Sequence, residues 1–272
     1  MKRYENLKHG TEEFPVGIHN TLCKDGFSLY PHIHREFEFL VMKKGKGVLY
    51  IENEKFNLKE GEGVFINSEE LHIGIKTDGG EAEFFAVVFA PEVFGSSRVD
   101  AVVQNYVEPV LKKKIRPARR LEKGAVELLY KINEKPGELM IKSHLYALWD
   151  MCLTGAEKTT GTVKDKGVNE IKAVMAYIRE NFDKNIALED MAGHVNISRG
   201  YLCREFKRVL HMTPFEYLIQ IRIDKGCEML KDEEWSIGEI AQRCGFNSFS
   251  YFTKIFGEKV GCSPKEYRQK YV

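Results

Sequence analysis

Ser198-Arg-Gly-Tyr-Leu-Cys-Arg-Glu-Phe-Lys-Arg208, followed by Thr213-Pro-Phe-Glu-Tyr217, is written a second time fifty positions later. The second copy runs Ser248-Phe-Ser-Tyr-Phe-Thr-Lys-Ile-Phe256, then Ser263-Pro-Lys-Glu-Tyr267. Ser198, Tyr201, Leu202, Phe206, Thr213, Pro214 and Tyr217 thus recur as Ser248, Tyr251, Phe252, Phe256, Ser263, Pro264 and Tyr267. Solenoids need at least three copies to bury a continuous core, so two copies point to a pair of like modules. Each copy reads as a short helix, a turn, a second helix and a Pro-started helix, the organisation of a helix-turn-helix reader of DNA.

In the second copy, Tyr251, Phe252, Ile255 and Phe256 are spaced to share one buried helix face. Phe249, Ser250, Thr253 and Lys254 then point outward. Lys254 can reach guanine, and Phe249 or Thr253 can touch a thymine methyl. Ser248 stands at an N-cap position, and the helix end behind it can meet a phosphate. In the first copy Leu202 and Phe206 are the buried pair, with Ser198 at the matching cap. Arg199, Gly200, Cys203, Arg204 and Lys207 lie on or near the outer face. Arg204 is the leading base reader, because a guanidinium fork matches guanine O6 and N7. Lys207 and Arg208 are better placed for phosphates. Between the copies, a helix from Pro214 through Leu230 makes a rod of roughly 25 Å. Such a rod can hold two heads about one DNA turn, roughly 34 Å, apart.

Charge adds little to this. The net charge is +1, and from Asp165 onward 17 Lys+Arg face 16 Asp+Glu, so any phosphate-binding surface must be local. A length of 272 residues allows about two domains. A hydrophobic fraction of 43% with 30% charged residues fits a soluble protein. The N-terminal stretch has no signal-peptide run, and apolar runs such as Phe84-Phe-Ala-Val-Val-Phe-Ala90 are too short to span a bilayer. Six cysteines without zinc-finger spacing read as reduced thiols in a cytoplasm, with no membrane partner expected.

Upstream, the first 95 residues alternate short apolar strands with Gly-rich turns. Phe37-Glu-Phe-Leu-Val-Met42, Gly47-Val-Leu-Tyr-Ile51 and Gly63-Val-Phe-Ile66 are strand candidates, separated by turns that include Asp78-Gly-Gly80. This spacing suggests a β-barrel or double-sheet roll. From about residue 97 to 153 the period becomes helical, with Leu111, Ile115, Leu121, Ala125, Leu128, Leu129 and Ile132 on apolar stripes. Pro117 and Pro136 sit where helices would begin. The polar, Gly-rich stretch 154–167 is the best linker.

The C-terminal motifs resemble the DNA-binding domain of AraC/XylS-type bacterial transcription regulators over about residues 168–270. The resemblance rests on Leu188-Glu-Asp-Met-Ala192, the two quoted repeats, and Ile237-Gly-Glu-Ile-Ala241 with Gly245-Phe-Asn247. It implies seven helices, with recognition helices near 198–208 and 248–256. Two positions depart from the pattern. His211 stands where the family usually has glycine. Gly257 replaces the usual lysine, which removes a phosphate contact and weakens the helix by about 1 kcal/mol.

The N-terminal stretch Gly26…His32-Ile-His34…Glu38…Gly45 resembles the first cupin motif, and Gly61…Asn67-Ser-Glu-Glu-Leu-His72 the weaker second. Asn67, Glu69 and Lys76 replace that motif's proline, glycine and asparagine. Residues 32, 34 and 38 would share one side of a strand at period two. With His72 they could bind a divalent metal (Zn, Ni, Mn or Fe). Alternatively they line a metal-free sugar or metabolite cavity, where Tyr30, Phe37, Phe39 and Tyr50 could stack on the ligand.

The expected fold is thus α+β and two-domain. A cupin-like effector-binding barrel (1–95) and a helical dimerisation or linker segment (96–164) precede an AraC-type DNA-binding domain (165–272). The function implied is a ligand-responsive, sequence-specific regulator, an activator more than a repressor. Its partners would be double-stranded DNA, a small-molecule effector such as a carbohydrate, RNA polymerase and a second copy of itself. Two alternatives remain open at this point. One is a constitutive DNA-binding regulator whose barrel only dimerises. The other is a metal-dependent cupin enzyme, which would leave the repeated module without a purpose.

Overall fold

The computed structural model describes residues 9–271 except 25, 27, 76, 78, 79, 96–98, 160–164 and 233. Lys76, most of the turn at 78–80 and part of the linker at 154–167 therefore lie outside the described residues. The chain forms two compact units, residues 1–163 and 164–272.

Unit 1 is a double-sheet roll. One sheet has the order β1-β8-β3-β6, built from β1 (Val16–Cys23), β3 (Phe37–Lys44), β6 (Gly63–Ile66) and β8 (Ala82–Phe89). The other has the order β2-β7-β4-β5, built from β2 (Leu29–His32), β4 (Lys46–Ile51), β5 (Glu54–Lys59) and β7 (His72–Ile75). Every neighbouring pair is antiparallel. Leu40, Met42, Leu49, Ile51, Phe56, Leu58, Val64, Ile66 and Phe84 pack together in the space between the sheets.

The alternate residues of the first sheet form a second core. Phe37, Phe39, Val41, Phe65, Phe85, Val87 and Phe89 are fully buried under Leu129, Ile132, Leu145, Leu148 and Trp149. Those five come from α2 (Lys123–Asn133) and α3 (Glu138–Thr154). With both faces covered, β3 and β8 read as continuous apolar runs instead of alternating ones. Phe37 and Phe39 are therefore core residues, packed against Phe65, Phe89 and Trp149, and not the ligand-stacking groups the sequence suggested. Tyr50 falls out for a similar reason: Leu49 and Ile51 take the inner face, so strand alternation turns Tyr50 away from it.

The segment before α2 is less helical than its apolar stripe implied. A π-helical turn (Val103–Val107) leads into a short α1 (Glu108–Leu111), where Pro109 fills the first turn. Ile115 and Arg116 then form β9, paired with β10 (Glu157–Lys158) inside the expected linker. Pro117 follows that strand and starts no helix, since α2 begins at Lys123.

Seven helices among the described residues build unit 2: α4 (Lys166–Asn181), α5 (Leu188–His194), α6 (Arg199–Leu210), α7 (Pro214–Met229), α8 (Ile237–Arg243), α9 (Phe249–Val260) and α10 (Pro264–Tyr271). Their starts are chemically marked. Ser198 Oγ accepts from Tyr201 N and Ser248 Oγ from Tyr251 N, each at 3.3 Å. Thr213 and Ser236 form reciprocal capping boxes with Glu216 and Glu239. Leu202, Phe206, Tyr217, Phe252 and Phe256 are buried, and each buried apolar side chain contributes roughly 1.5–3 kcal/mol. Gly226 of α7 lets that helix pack closely, since a Cβ there would meet the Phe252 ring at 3.2 Å.

Candidate functional site

Unit 2 offers two exposed helix faces. On α6, Ser198, Arg199, Gly200, Arg204, Lys207 and Arg208 are exposed and Cys203 is half-buried, while Leu202 and Phe206 are shielded from solvent. The four cations are not equivalent. Arg199 pairs with Glu189 of α5. Arg208 is held by Glu205 at 2.7 Å and by Asp165 at 3.3 Å. Arg204 instead lies over the Tyr201 ring, 5.9 Å from its centroid, and makes no ion pair among the described residues.

On α9, Ser248, Phe249, Ser250 and Lys254 are exposed and Thr253 half-buried. The Thr253 hydroxyl donates to Phe249 O at 3.0 Å, and Lys254 Nζ is 4.0 Å from Glu258. Tyr251, which the spacing assigned to the buried face, is 48% exposed. The inward positions are taken by Phe252 and Phe256, and Tyr251 sits one residue round from them at the solvent edge, 6.0 Å from Phe246. The outward side of α9 is therefore more aromatic than the sequence reading allowed. The rod between the heads, α7, has 16 residues, a length of about 24 Å. Arg222 on α7 braces the connection between α4 and α5 by donating to Phe182 O at 2.7 Å and Lys184 O at 2.8 Å.

Unit 1 holds a cluster of different character. One ligand atom from each of His32, His34, Glu38 and His72 lies within 4.8 Å of all the others. They do not share one strand, as period-two counting had it. His32 ends β2, His34 lies in the following turn, Glu38 is on β3 and His72 begins β7. The cluster thus joins the two sheets. His34, Glu38 and His72 are buried, and His32 is half-buried.

Each ring is oriented by the backbone next to it. The Nδ1 atoms of His32, His34 and His72 lie 2.8, 3.2 and 2.9 Å from the carbonyls of Tyr30, Glu36 and Glu70. A carbonyl only accepts, so each Nδ1 carries the proton and donates. In the neutral rings Nε2 is then a bare lone pair. Tyr30, expected to stack on a ligand, contributes this carbonyl.

The lone pairs converge on one carboxylate. His34 Nε2 is 2.9 Å and His72 Nε2 3.3 Å from the same Glu38 Oε2. The first contact is a hydrogen bond once His34 takes a second proton. Burial opposes that, but the hydrogen bond and charge of Glu38 outweigh it and raise the His34 pKa. Burial likewise opposes ionisation of Glu38, and the surrounding histidines hold its pKa well below the usual range. His32 is driven well below its ordinary value by burial and by His72. His72 Nε2 is left buried with no hydrogen-bond partner.

Sequence reasoning missed two more histidines. His9 Nδ1 and His19 Nε2 are 2.9 Å apart, and the His9 ring lies 5.5 Å from that of His34. Burial, with His34 and His19 nearby, pushes the His9 pKa down to about 4. The available signal was compositional: five of the eight histidines precede residue 73. Also missed was Arg119, whose guanidinium grips the Glu70 carboxylate with both terminal nitrogens. Glu70 in turn accepts from Asn67 N at 2.9 Å. Glu69, where the cupin motif has glycine, adopts φ 59°, the left-handed conformation glycine takes at no cost.

Residues 191–270 match the family described as helix-turn-helix domain, and residues 15–149 match the AraC-like ligand binding domain. The chain belongs to the AraC family of transcription regulators. It is a ligand-binding regulator with a helix-turn-helix DNA-binding domain. Among its relatives, the HTH-type transcriptional regulator YdeC of Bacillus subtilis is 28% identical over 97% of both chains. The melibiose operon regulatory protein of Escherichia coli is 28% identical over 88% of this chain and 83% of its own. Among solved structures, unsaturated fatty acid bound ToxT from Vibrio cholerae covers 93% of this chain and 94% of its own, at 15% identity and a TM-score of 0.45. No helix among the described residues of this AraC-type chain is long and apolar enough to cross a membrane.

Proposed function

We propose that this AraC-type chain is a cytoplasmic, homodimeric activator that reads two adjacent major grooves and changes its DNA occupancy when a carbohydrate-class effector binds unit 1. The observation that carries the reading is the pair of N-capped helices, α6 and α9, with polar and aromatic side chains outward and a 16-residue rod between them. Arg204 reads guanine, and Lys207 contacts phosphate. Phe249 and Thr253 meet thymine methyls, with Ser250 and Lys254 beside them. Arg199 and Arg208, tied to carboxylates, position α6. Gly200 and Cys203 permit close approach of that face. The ends capped by Ser198 and Ser248 meet phosphates.

Likeness to the melibiose operon regulator supports a sugar as effector. Leu139, Met140 and Tyr146 leave an apolar strip exposed on α3, which supports pairing of two copies through the helical segment. Effector binding can reach that segment mechanically. Glu70 orients His72 through its carbonyl and holds Arg119 through its carboxylate. Arg119 O, just ahead of α2, also accepts from Phe65 N at 2.8 Å. Such a link shifts an equilibrium only as far as the effector prefers one arrangement. RNA polymerase is the partner an activator requires, and the chain acts in this reading by recognition, not by turnover.

Genome-wide mapping of bound sites, followed by footprinting with sugars from the neighbouring pathways, tests the proposal. Paired footprints about one helical turn apart that respond to a sugar are expected. A footprint over one groove only, or one indifferent to every ligand, would defeat it.

A further inference from the structure

We infer that β10, the two-residue strand inside the stretch 154–167, is a releasable clasp, and that Glu54 of β5 is its latch. The clasp lies wholly within unit 1. Its use in DNA occupancy rests on the reading proposed above; its opening does not.

The strap that carries the clasp is residues 115–121, which cross the edge strands β6 and β5 of the two sheets. Towards the first sheet, Phe65 N donates to Arg119 O at 2.8 Å and Leu121 N to Gly63 O at 3.0 Å. Towards the second, Arg120 donates to Asn57 O at 3.0 Å and lies over the Phe56 ring. Arg116 pairs with Glu54 on the same strand.

Strand β10 is tied to this strap through its backbone. Glu157 stands opposite Arg116 and Lys158 opposite Ile115. Thr159 N donates to Lys114 O at 3.0 Å, and the Thr159 hydroxyl to Lys113 O at 2.5 Å. Both side chains of β10 are exposed, so little apolar burial holds it. An isolated two-stranded pairing is marginal in water, and one only two residues long depends on whatever fixes its partner. Two things fix β9: Ile115 packs against the core beneath α2 and α3, and Arg116 is held by Glu54. Glu157 makes no ion pair with Arg116 among the described residues. Only the Glu54 contact can change partners.

A second partner is waiting. Arg119 Nε is buried with no hydrogen-bond partner, 3.9 Å from the other oxygen of Glu54. A buried N–H left unpaired carries a free-energy penalty. A shift of about 1 Å would bring Glu54 to hydrogen-bond distance of that nitrogen and loosen it from Arg116. The terminal nitrogens of Arg119 would meanwhile keep their grip on Glu70. The carboxylate therefore stands between two guanidiniums and fully serves one. With Arg116 served, β9 is rigid and the clasp closed; with Arg119 served, β9 loosens and β10 peels away. Opening adds residues 157–159 to the chain ahead of Asp165, a reach of roughly 10 Å when extended. Tether length sets the effective concentration of a second binding event, so the clasp tunes how readily paired DNA domains fill adjacent sites.

The test is residue-resolved hydrogen exchange on the full-length protein, with the Thr159 amide as reporter. Glu54 and Arg116 side chains are each 42% exposed, so Glu54→Gln and Arg116→Met should fold. Each should speed Thr159 exchange roughly two- to fivefold, the range of a partly exposed ion pair. The Ala118 amide, bonded to Cys152 O at 3.1 Å, should hold its rate. Glu81→Gln, which breaks the exposed pair with Lys44, should leave Thr159 unchanged. A disulfide staple from Ile115→Cys with Lys158→Cys should slow Thr159 exchange by about tenfold or more, because local opening is then forbidden, and reduction should restore it. Exchange that is unchanged or slower in both latch variants, or indifferent to the oxidised staple, overturns the inference. The readout involves neither promoter nor sugar, so its failure and that of the regulator reading are separate results.

Discussion

Between α5 and α6 the first head uses four residues, 195–198; between α8 and α9 the second uses five, 244–248. The repeat spacing accordingly changes from 49 at Ala192 and Ala241, before the turn, to 50 at Ser198 and Ser248, after it. Asn196 and Gly245 hold the matching left-handed positions, at φ 54° and 79°. The extra residue is Asn247, because Phe246 N donates to Ala241 O as Ile197 N does to Ala192 O; Phe246 itself is buried 5.1 Å from Phe252. The two outer faces diverge as well. The first is cationic and partly braced by carboxylates; the second exposes Phe249 and Tyr251 beside Lys254. One ancestral pattern can thus keep its caps and core while its surface chemistry is retuned. On the proposed reading, the first head takes guanine edges and the second thymine methyls.

The largest effects should come from the shared core, and even there the heads should differ. Phe206 packs 5.9 Å from Tyr217, itself fully buried on the long α7. Phe256 packs 5.6 Å from the half-buried Tyr267 on the eight-residue α10. Phe→Ala in a core costs about 3–5 kcal/mol, less where neighbours can collapse into the gap. Phe206→Ala is expected near the top of that range and Phe256→Ala near the bottom, measured as urea midpoints at constant m. Equal losses would mean that α10 is held as firmly as α7.

Next in size is DNA affinity. A good bidentate contact to guanine is worth about 1–3 kcal/mol. Arg204→Ala should therefore weaken binding tenfold or more on a promoter site. Lys254→Ala, a point charge already near Glu258, should weaken it only a few-fold. Mobility-shift titrations in one salt concentration compare them directly. A weaker Lys254→Ala complex would reverse the ranking of the heads.

These expectations also mark what was legible beforehand. Both helix-turn-helix modules were readable because Ser caps, Phe pairs and Thr/Ser-Pro starts are local signals with fixed chemistry. Tyr251 was misplaced because i, i+1 spacing leaves its side undetermined until neighbours claim the inner face. In unit 1 the four clustered residues His32, His34, Glu38 and His72 were readable as a set, but their strands were not. A turn between β2 and β3 breaks the alternation that seemed to join residues 32, 34 and 38. Phe37 and Phe39 could equally stack on a ligand or fill a core, because nothing local announces that helices far along the chain cover that sheet face. Arg119 carried no pattern at all, since its importance comes from Glu70 across the fold.

Smaller differences lie in the helices themselves. Gly257 sits inside α9, and a Cβ added there would meet nothing within 4 Å, so Gly257→Ala should stabilise unit 2 by about 1 kcal/mol. At the start of α5, Asp190 reaches back to Ala187 N at 2.7 Å, but Ala187 has no hydroxyl to complete the exchange that Ser236 and Glu239 make before α8. Ala187→Ser should add about 0.5–1 kcal/mol and Ser236→Ala should remove a similar amount. Thermal midpoints of the three variants would show whether the first head is short of a cap or compensated elsewhere.

The finest comparison is at the ends of α6 and α9. His211 and Gly261 both close their helices in the left-handed region, at φ 54° and 85°, and each donates its N–H to a carbonyl four residues back. A side chain there strains the backbone by roughly 1–2 kcal/mol, less for residues that tolerate the region. Glycine avoids the strain but loses about 0.5–1 kcal/mol through its greater freedom when unfolded. The two terms nearly cancel, so His211→Gly should stabilise by only a few tenths of a kcal/mol. Gly261→His should cost the same or slightly more, because φ 85° lies further from the conformation a side chain accepts. Urea melts of the reciprocal pair decide it. If His211→Gly instead destabilises clearly, the imidazole is making a contact that compensates for its backbone, and the heads differ at this cap by selection as well as by strain.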